Sequence, residues 1–403
     1  MHRRRRLSPC SSSLVHGYAT IDNELVWEVA THVRRFLLRL SKGCCIGTPT
    51  SDGNCFTVQV VKHSQKSGID LPCVVDESAR PTPRSLRTEL QSPGMATSPR
   101  SAVTERVWSR LPEGCRQVLE DELSPTDLQS LLLSLAHTRS GRIRPAEVLR
   151  RWKSDRFVRP ATIDPGRLSE VENRLWRRLR DTPFEGLALS PVTSLGTCTS
   201  VGGVDQNRIV STVRSSEVVS DPCNVLALEA ALRRRSNNDQ AHLASCHRVL
   251  RAQQFVESDA FAHFVIFALV SSARDSGSTR TEAELLIMHL GFWQQVLDEL
   301  LGPTWGRFAY TLIGDQSKGH QLVDMIRSEL PAAPLTAYPE RTQGIGYYHT
   351  AAFKILANTE TVELEIGDGG FVGWTAELIP DAKERCLTSC VAPERLAGLM
   401  REN

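Results

Sequence analysis

None of the 11 cysteines forms a Cys-x-x-Cys pair, and no Cys/His group has the spacing of zinc ligands. A structural zinc site and a dithiol redox motif are therefore not expected, and reduced thiols in a cytoplasmic protein are the default. Long apolar runs are missing too. Stretches such as Phe264–Val270 fall far short of the ~20 apolar residues that span a bilayer, so a soluble chain with no membrane partner is expected. Nor does charge of one sign dominate. With 48 Lys and Arg against 46 Asp and Glu, the formal charge is +2, which does not indicate a dedicated nucleic-acid binder. What the chain does have is length. Its 403 residues, 40% hydrophobic and 23% charged, suffice for two or three domains and a sizeable core.

Residues 1–94 show little sustained periodicity. They hold Cys10, Cys44, Cys45, Cys55 and Cys73, an Arg3–Arg6 run, and a Ser/Pro/Thr-rich stretch from Ser78 to Gly94. One amphipathic helix is expected over Glu24–Leu40, where Leu25, Val29, Val33, Leu37 and Leu40 share a face. The segment reads as a presequence, a poorly structured extension, or sequence upstream of the true start. Asp22, Glu24 and Glu28 oppose the first reading, and initiation at Met95 is favoured.

A helical segment follows, expected over residues 95–165 ahead of a core at 166–403. Ser124-Pro125 pairs a cap residue with an N1 proline, and Leu128, Leu131, Leu132 and Leu135 then mark a face expected to be buried. A second helix is expected over Arg144–Lys153. A third carries Leu168, Val171, Leu175 and Leu179. Its Arg174, Arg177, Arg178 and Arg180 either touch RNA phosphates or, the preferred reading, form a solvated helix face.

In the core, Phe184–Pro191 alternates as a strand ending in proline, and Glu217 begins a strand, turn and helix capped by Asp221 or Asn224. His242–Gln253 and Phe261–Val270 suggest an antiparallel pair. Thr281–Gly302 has helical spacing and a terminal glycine. A hairpin is expected from Ala351–Ala357 and Val362–Ile366, with Glu363 and Glu365 on one side of the second strand. Those carboxylates hold Mg²⁺ or a substrate ammonium, or merely face water. Gly369 and Gly370 either admit a substrate close to the backbone or make a turn.

In this order the segments resemble the catalytic core of class II aminoacyl-tRNA synthetases of the histidyl type, over about Leu168–Asn403. Pro191 takes the place of the motif 1 proline at the dimer interface. Arg251 resembles the motif 2 arginine on the ATP α-phosphate, Gln253 the following glutamate, and Phe264 the residue stacked on adenine. Arg395, beside Glu394, resembles the motif 3 arginine on the γ-phosphate. The stretch Gln343–Ile355, QGIGYYHTAAFKI, is similar to the histidine-recognition motif RGLDYYTGTVFEI. There the family's arginine falls on Gln343 and its aspartate on Gly346, while Gly344, Tyr347, Tyr348 and Phe353 match. Arg341 either compensates for the missing arginine or lies at the surface. Phe371 and its neighbours replace charged residues of the family's glycine-pair motif.

The resemblance implies an α+β fold, a class II synthetase-like antiparallel β-sheet flanked by helices and preceded by the helical segment. It implies a homodimer and the cofactors ATP and Mg²⁺. Arg251, Gln253, Phe264, Glu365 and Arg395 would bind ATP, with Arg251 and Arg395 catalytic. Glu363 and Glu365 would bind the metal, and Asp221, Asn224, Gln343, Tyr347, Tyr348, Gly369 and Gly370 the amino acid or related carboxylate. Only eight residues follow Arg395, so no anticodon-binding domain is expected at that end, and ordinary charging of tRNA with histidine is not. The functions that compete are an adenylate-forming enzyme, a non-catalytic paralogue like the regulatory subunit of ATP phosphoribosyltransferase, and an RNA-binding module. Amino-terminal analysis of native protein is expected to find material beginning at Met95, and material beginning at Met1 would exclude that start.

Overall fold

The computed structural model describes residues 99–236, 239–252, 262–342, 344, 346–358 and 363–400. The expected Glu24–Leu40 helix, Gln253 and Gln343 lie outside them. The chain divides into two units, Met1–Leu131 and Leu132–Asn403.

In the first unit, helix α1 (Pro99–Trp108) is followed by a π turn at Val118–Glu122 and by the start of α2 (Pro125–Ser140). The expected cap is present. Ser124 Oγ accepts from Asp127 N at 3.1 Å and donates to the Asp127 carboxylate at 2.7 Å, joining both residues across the first helical turn. In the second unit the expected burial of the α2 stripe fails, for Leu132 and Leu135 are 37% and 50% exposed. Spacing identifies an apolar face but not a neighbour to cover it. Helix α3 (Pro145–Ser154) also buries no residue.

From α4 (Pro165–Leu179) onward the chain packs densely. Asp164 caps α4 by accepting from Arg167 N, Pro165 occupies the first turn, and Leu168, Val171, Leu175 and Leu179 are buried as their spacing requires. The eight-stranded sheet runs β1-β4-β5-β10-β9-β8-β6-β7. Its strands are β1 (Glu185–Gly186), β4 (Gln240–Leu250), β5 (His263–Arg274), β6 (Gly306–Leu312), β7 (Leu335–Ala337), β8 (His349–Asn358), β9 (Glu363–Val372) and β10 (Glu384–Val391). Only the edge pairs β1·β4 and β6·β7 are parallel. Strands β2 (Val192–Ser194) and β3 (Ser216–Val218) form a separate antiparallel pair. The expected α+β architecture, a large and mostly antiparallel sheet flanked by helices, is the one found.

Strand β5 explains why its sequence is apolar on both sides. Phe267 and Leu269 face a core formed with α4 and α6 (Arg280–Leu300), while Ile266, Ala268 and Val270 face another formed with α5 (Pro222–Arg235). With both faces covered there is no solvent side to be polar. Phe267 meets Trp176 edge-on at 4.9 Å and Trp293 at 6.1 Å, arrangements the aromatic quadrupoles favour.

Two expected strands differ in length. Of Phe184–Pro191 only Glu185–Gly186 pairs, with Leu243–Ala244. A Cβ at Gly186 would come within 2.7 Å of the Trp176 ring, so glycine admits α4 close to the sheet edge. Conversely, β9 runs on to Val372, past the expected end at Ile366. Gly369 and Gly370 therefore lie inside a strand and make no turn. A Cβ at Gly370 would stand 2.5 Å from Tyr348 Cδ1, and one at Gly369 2.6 Å from Phe353 Cζ. The absent side chains make room for those rings.

A line of polar atoms crosses the first core. Trp293 Nε1 donates to Ser389 Oγ at 2.8 Å. The Ser389 hydroxyl then donates to His289 Nδ1 at 2.7 Å, and His289 Nε2 donates to Ser271 Oγ at 2.9 Å. Ser271 passes its proton to His242 Nδ1 at 2.9 Å, leaving His242 Nε2 to donate to Gln240 Oε1 at 2.8 Å. Because Gln240 Oε1 can only accept and burial keeps both imidazoles neutral, every role back to the indole follows. Burial, reinforced by His242, holds His289 well below its ordinary value of 6.5, and burial also lowers His242, His247 and His349. A depressed histidine stabilises the fold above its unfolded value, and that contribution is lost as the pH falls and the unfolded chain takes up the proton. Thermal stability should therefore fall from about pH 7.5 to about pH 5.5. His289→Gln should cost about 2 kcal/mol at the upper end and give a shallower slope in denaturant titrations. An unchanged slope would refute the assignment.

Candidate functional site

The second face of the sheet carries a row of cross-strand neighbours, Ala268 on β5, Cys390 on β10, Asp368 on β9 and Lys354 on β8. Cross-strand partners point the same way, so this row lies on the face that α5 covers. Helix α5 starts beside the row. Asp221 is its cap, accepting from Cys223 N at 2.9 Å, while Asn224 is 1% exposed and sits against Gly202. Of the two expected caps, Asp221 is the one in use.

Arg251 directly follows β4. Its Nε donates to Ser220 O at 3.0 Å, its Nη2 lies 4.0 Å from Asp221 Oδ2, and its guanidinium stands 5.1 Å from the centre of the Phe264 ring. The fold thus brings Asp221, Arg251 and Phe264 together from three separate stretches of chain. Backbone contacts seat them, since Arg251 N donates to Ala262 O at 2.8 Å and Leu250 N to Val219 O at 3.2 Å.

The tyrosine stretch closes on the same row. Arg341 is 4% exposed, with Nη2 3.3 Å from Asp368 Oδ2 and its guanidinium 5.2 Å from the Tyr348 ring centre. It is not a surface residue. Tyr348 donates its hydroxyl proton to the same Asp368 oxygen at 3.1 Å. Burial raises the Asp368 carboxyl while Arg341 and Tyr348 pull it down, with burial the larger influence. Tyr347 packs edge-on against Tyr348 at 4.8 Å and Trp374 at 5.7 Å. Burial raises its phenol, helped by Asp221, Cys223, Asp368 and Cys390. Cys390 Sγ lies 4.0 Å from Asp368 Oδ1, and the Cys223 thiol is raised first by its hydrogen bond with Cys390 and then by burial. Gly346 has φ +89°, a left-handed backbone in which an L side chain is strained. The aspartate that the histidyl motif places there would be poorly accommodated.

The expected metal carboxylates do not converge. Glu363 is paired by the Arg307 guanidinium, and Glu365 takes Lys354 Nζ at 2.7 Å. Among the described residues no group of three His, Cys, Asp or Glu side chains stands close enough to hold a metal ion. Arg395, on α7 (Pro393–Leu399), is exposed and donates to the backbone oxygen of Glu365. That helix leaves the sheet at the end where β4 finishes and β5 begins, since Val391 pairs with Phe267 and Leu250 with His263. Gly369 and Gly370 are buried within β9. On α4, Arg174 pairs with Glu170 at 2.5 Å and Arg178 with Glu299 at 2.6 Å, which favours the solvated reading of that face.

No protein-family profile and no curated protein sequence matches the chain. Among solved structures it is similar to apo histidyl-tRNA synthetase of S. aureus, with 17% identity and a TM-score of 0.45 over 59% of this chain and 67% of that one. It is also similar to an ATP phosphoribosyltransferase regulatory subunit/histidyl-tRNA synthetase of Bacillus halodurans C, with 9% identity and a TM-score of 0.48 over 61% and 83%. A third is histidyl-tRNA synthetase of a Nostoc species, with 11% identity and a TM-score of 0.49 over 61% and 76%.

Motif spacing missed four members of the site. Asp368 was visible only as the residue before a glycine pair, Lys354 as a strand residue, and the Cys223/Cys390 contact joins residues far apart in sequence. Arg341→Ala should destabilise the fold by about 2–3 kcal/mol, because it leaves the half-buried Asp368 carboxylate without its cation. Adding Asp368→Asn should recover part of that loss in urea denaturation, and simple additivity of the two changes would refute the pairing.

Proposed function

We propose that this chain is an ATP-dependent, adenylate-forming enzyme of class II synthetase type that activates an amino acid or a related carboxylate. The observation that carries the reading is the seating of Arg251, fixed on the Ser220 carbonyl over the Phe264 ring and next to the cap of α5. A rigid guanidinium at a strand end suits the charge that develops on a phosphate under attack. The neighbouring ring supplies a flat apolar surface for a base.

In the proposed reaction a carboxylate oxygen of the substrate attacks the α-phosphorus of ATP. The bond to the bridging oxygen breaks and pyrophosphate leaves. Arg251 would hold the α-phosphate, Arg395 the distal phosphates, and Asp221, Tyr347 and Tyr348 the substrate end. Asn224, Gln343, Gly369 and Gly370 complete the proposed substrate set, and Gln253 the nucleotide set. Arg341 takes the charge role of the arginine absent at Gln343, though its guanidinium faces Asp368. Glu363 and Glu365 are already neutralised by Arg307 and Lys354, so we assign no protein ligand to Mg²⁺. A homodimer through the Pro191 region and a cytoplasmic location belong to the same proposal.

A second reading, a non-catalytic amino-acid-sensing or regulatory paralogue, draws support from those paired carboxylates and from Tyr347, whose ring is packed into the space beside Asp221 and Asp368. ATP–pyrophosphate exchange across the amino acids separates the two. Wild-type exchange that Arg251→Ala lowers by about 100-fold or more is expected for an enzyme. Silence with every amino acid, together with amino-acid binding by calorimetry, would replace it with the sensing reading.

A further inference from the structure

Helix α3 stands apart from everything the site requires. Val148, Leu149 and Trp152 are 55%, 57% and 49% exposed. At 100° per residue these three share one face, with Arg151 and Lys153 on its two flanks. Around them, residues 139–153 carry Arg139, Arg142, Arg144, Arg150, Arg151 and Lys153 against a single carboxylate, Glu147. That carboxylate is shared, with Arg151 directly and with Arg150 at 3.8 Å, and exposed pairs of this kind neutralise little. A ten-residue helix without burial is marginal in water, because its nucleation cost is recovered mainly through packing of an amphipathic face.

The occupant of this face must therefore be apolar at its centre and negative at its rim. Self-pairing of this face about a two-fold axis is disfavoured by its own charge, since it would set the six cations against six more. Nucleic acid would meet the cations but leave Val148 and Leu149 in water. An anionic bilayer meets both requirements, with acyl chains for the apolar face and headgroups for cations whose stems extend from its flanks. We propose that α3 is a membrane-surface helix that docks the protein on anionic lipid. No helix among the described residues is long and apolar enough to span a bilayer, but lying on one needs only a single face. The docked helix would remain tied to the strand end that presents Arg251. Arg156 donates to the carbonyl of Ala252, and His263 Nε2 donates to Arg159 O at 2.6 Å.

The test is cosedimentation of the full chain with phosphatidylserine–phosphatidylcholine vesicles and with phosphatidylcholine alone. Binding to the first only, weakened by salt, is expected. Replacing Arg151 and Lys153, the two cations that flank the face, together by alanine should weaken it about 30-fold, roughly 5-fold for each charge near the lipid surface. Leu149→Glu with Trp152→Glu should abolish it with the melting temperature unchanged, because both residues are exposed. Absence of binding at low salt, or binding indifferent to Leu149→Glu and Trp152→Glu, overturns the proposal. Tight binding to a homopolymeric RNA that survives those glutamates overturns it in favour of a nucleic-acid surface.

Discussion

Covering the central sheet on both faces is the constraint from which the rest of this structure follows. Strands β5 and β10 have helices or their connections on either side, so their backbones must find every partner in the sheet and their side chains must be apolar or matched. The matching is visible where polarity persists. Trp293, Ser389, His289, Ser271 and His242 form one directed chain of hydrogen bonds. Arg234 meets Glu384 through two hydrogen bonds of 3.0 and 2.6 Å, and Ser272 also donates to that carboxylate at 3.2 Å. Removing one member strands the others, which is why such networks specify a single packing.

The site forms where that cover gives way. Helix α5 begins beside the row of Ala268, Cys390, Asp368 and Lys354, and its first turn brings Asp221 to Arg251. Beyond it, Tyr347 and Tyr348 close over glycines whose missing side chains admit the rings. Charge is arranged unevenly along this surface. Among the described residues the Arg251 side chain meets a carbonyl, a carboxylate at 4.0 Å and a π face, whereas Arg341 is sunk against Asp368 and serves the packing of the site as much as any ligand.

Much of this was legible in order and kind. The apolar period of α4, the cap at Ser124 and the antiparallel pair β4·β5 followed from spacing, because each depends on residues a few positions apart or on two strands joined by one loop. Where spacing failed, the missing information was distance between remote segments. The α2 stripe has helical period but no partner, and Glu363 and Glu365 alternate correctly yet meet Arg307 and Lys354 from neighbouring strands.

By itself, then, the sequence determined the helices α2, α3, α4 and α6, the strand pair β4·β5, and the order of motifs that resembles a class II core. Periodicity and end signals are local, and local physics suffices for them. Only the tertiary structure decided that Arg341 is buried on Asp368, that the glycine pair lies within a strand, and that the α3 face is left uncovered. Each of those depends on which distant surface arrives to fill or vacate a space, and no spacing along the chain encodes that arrival.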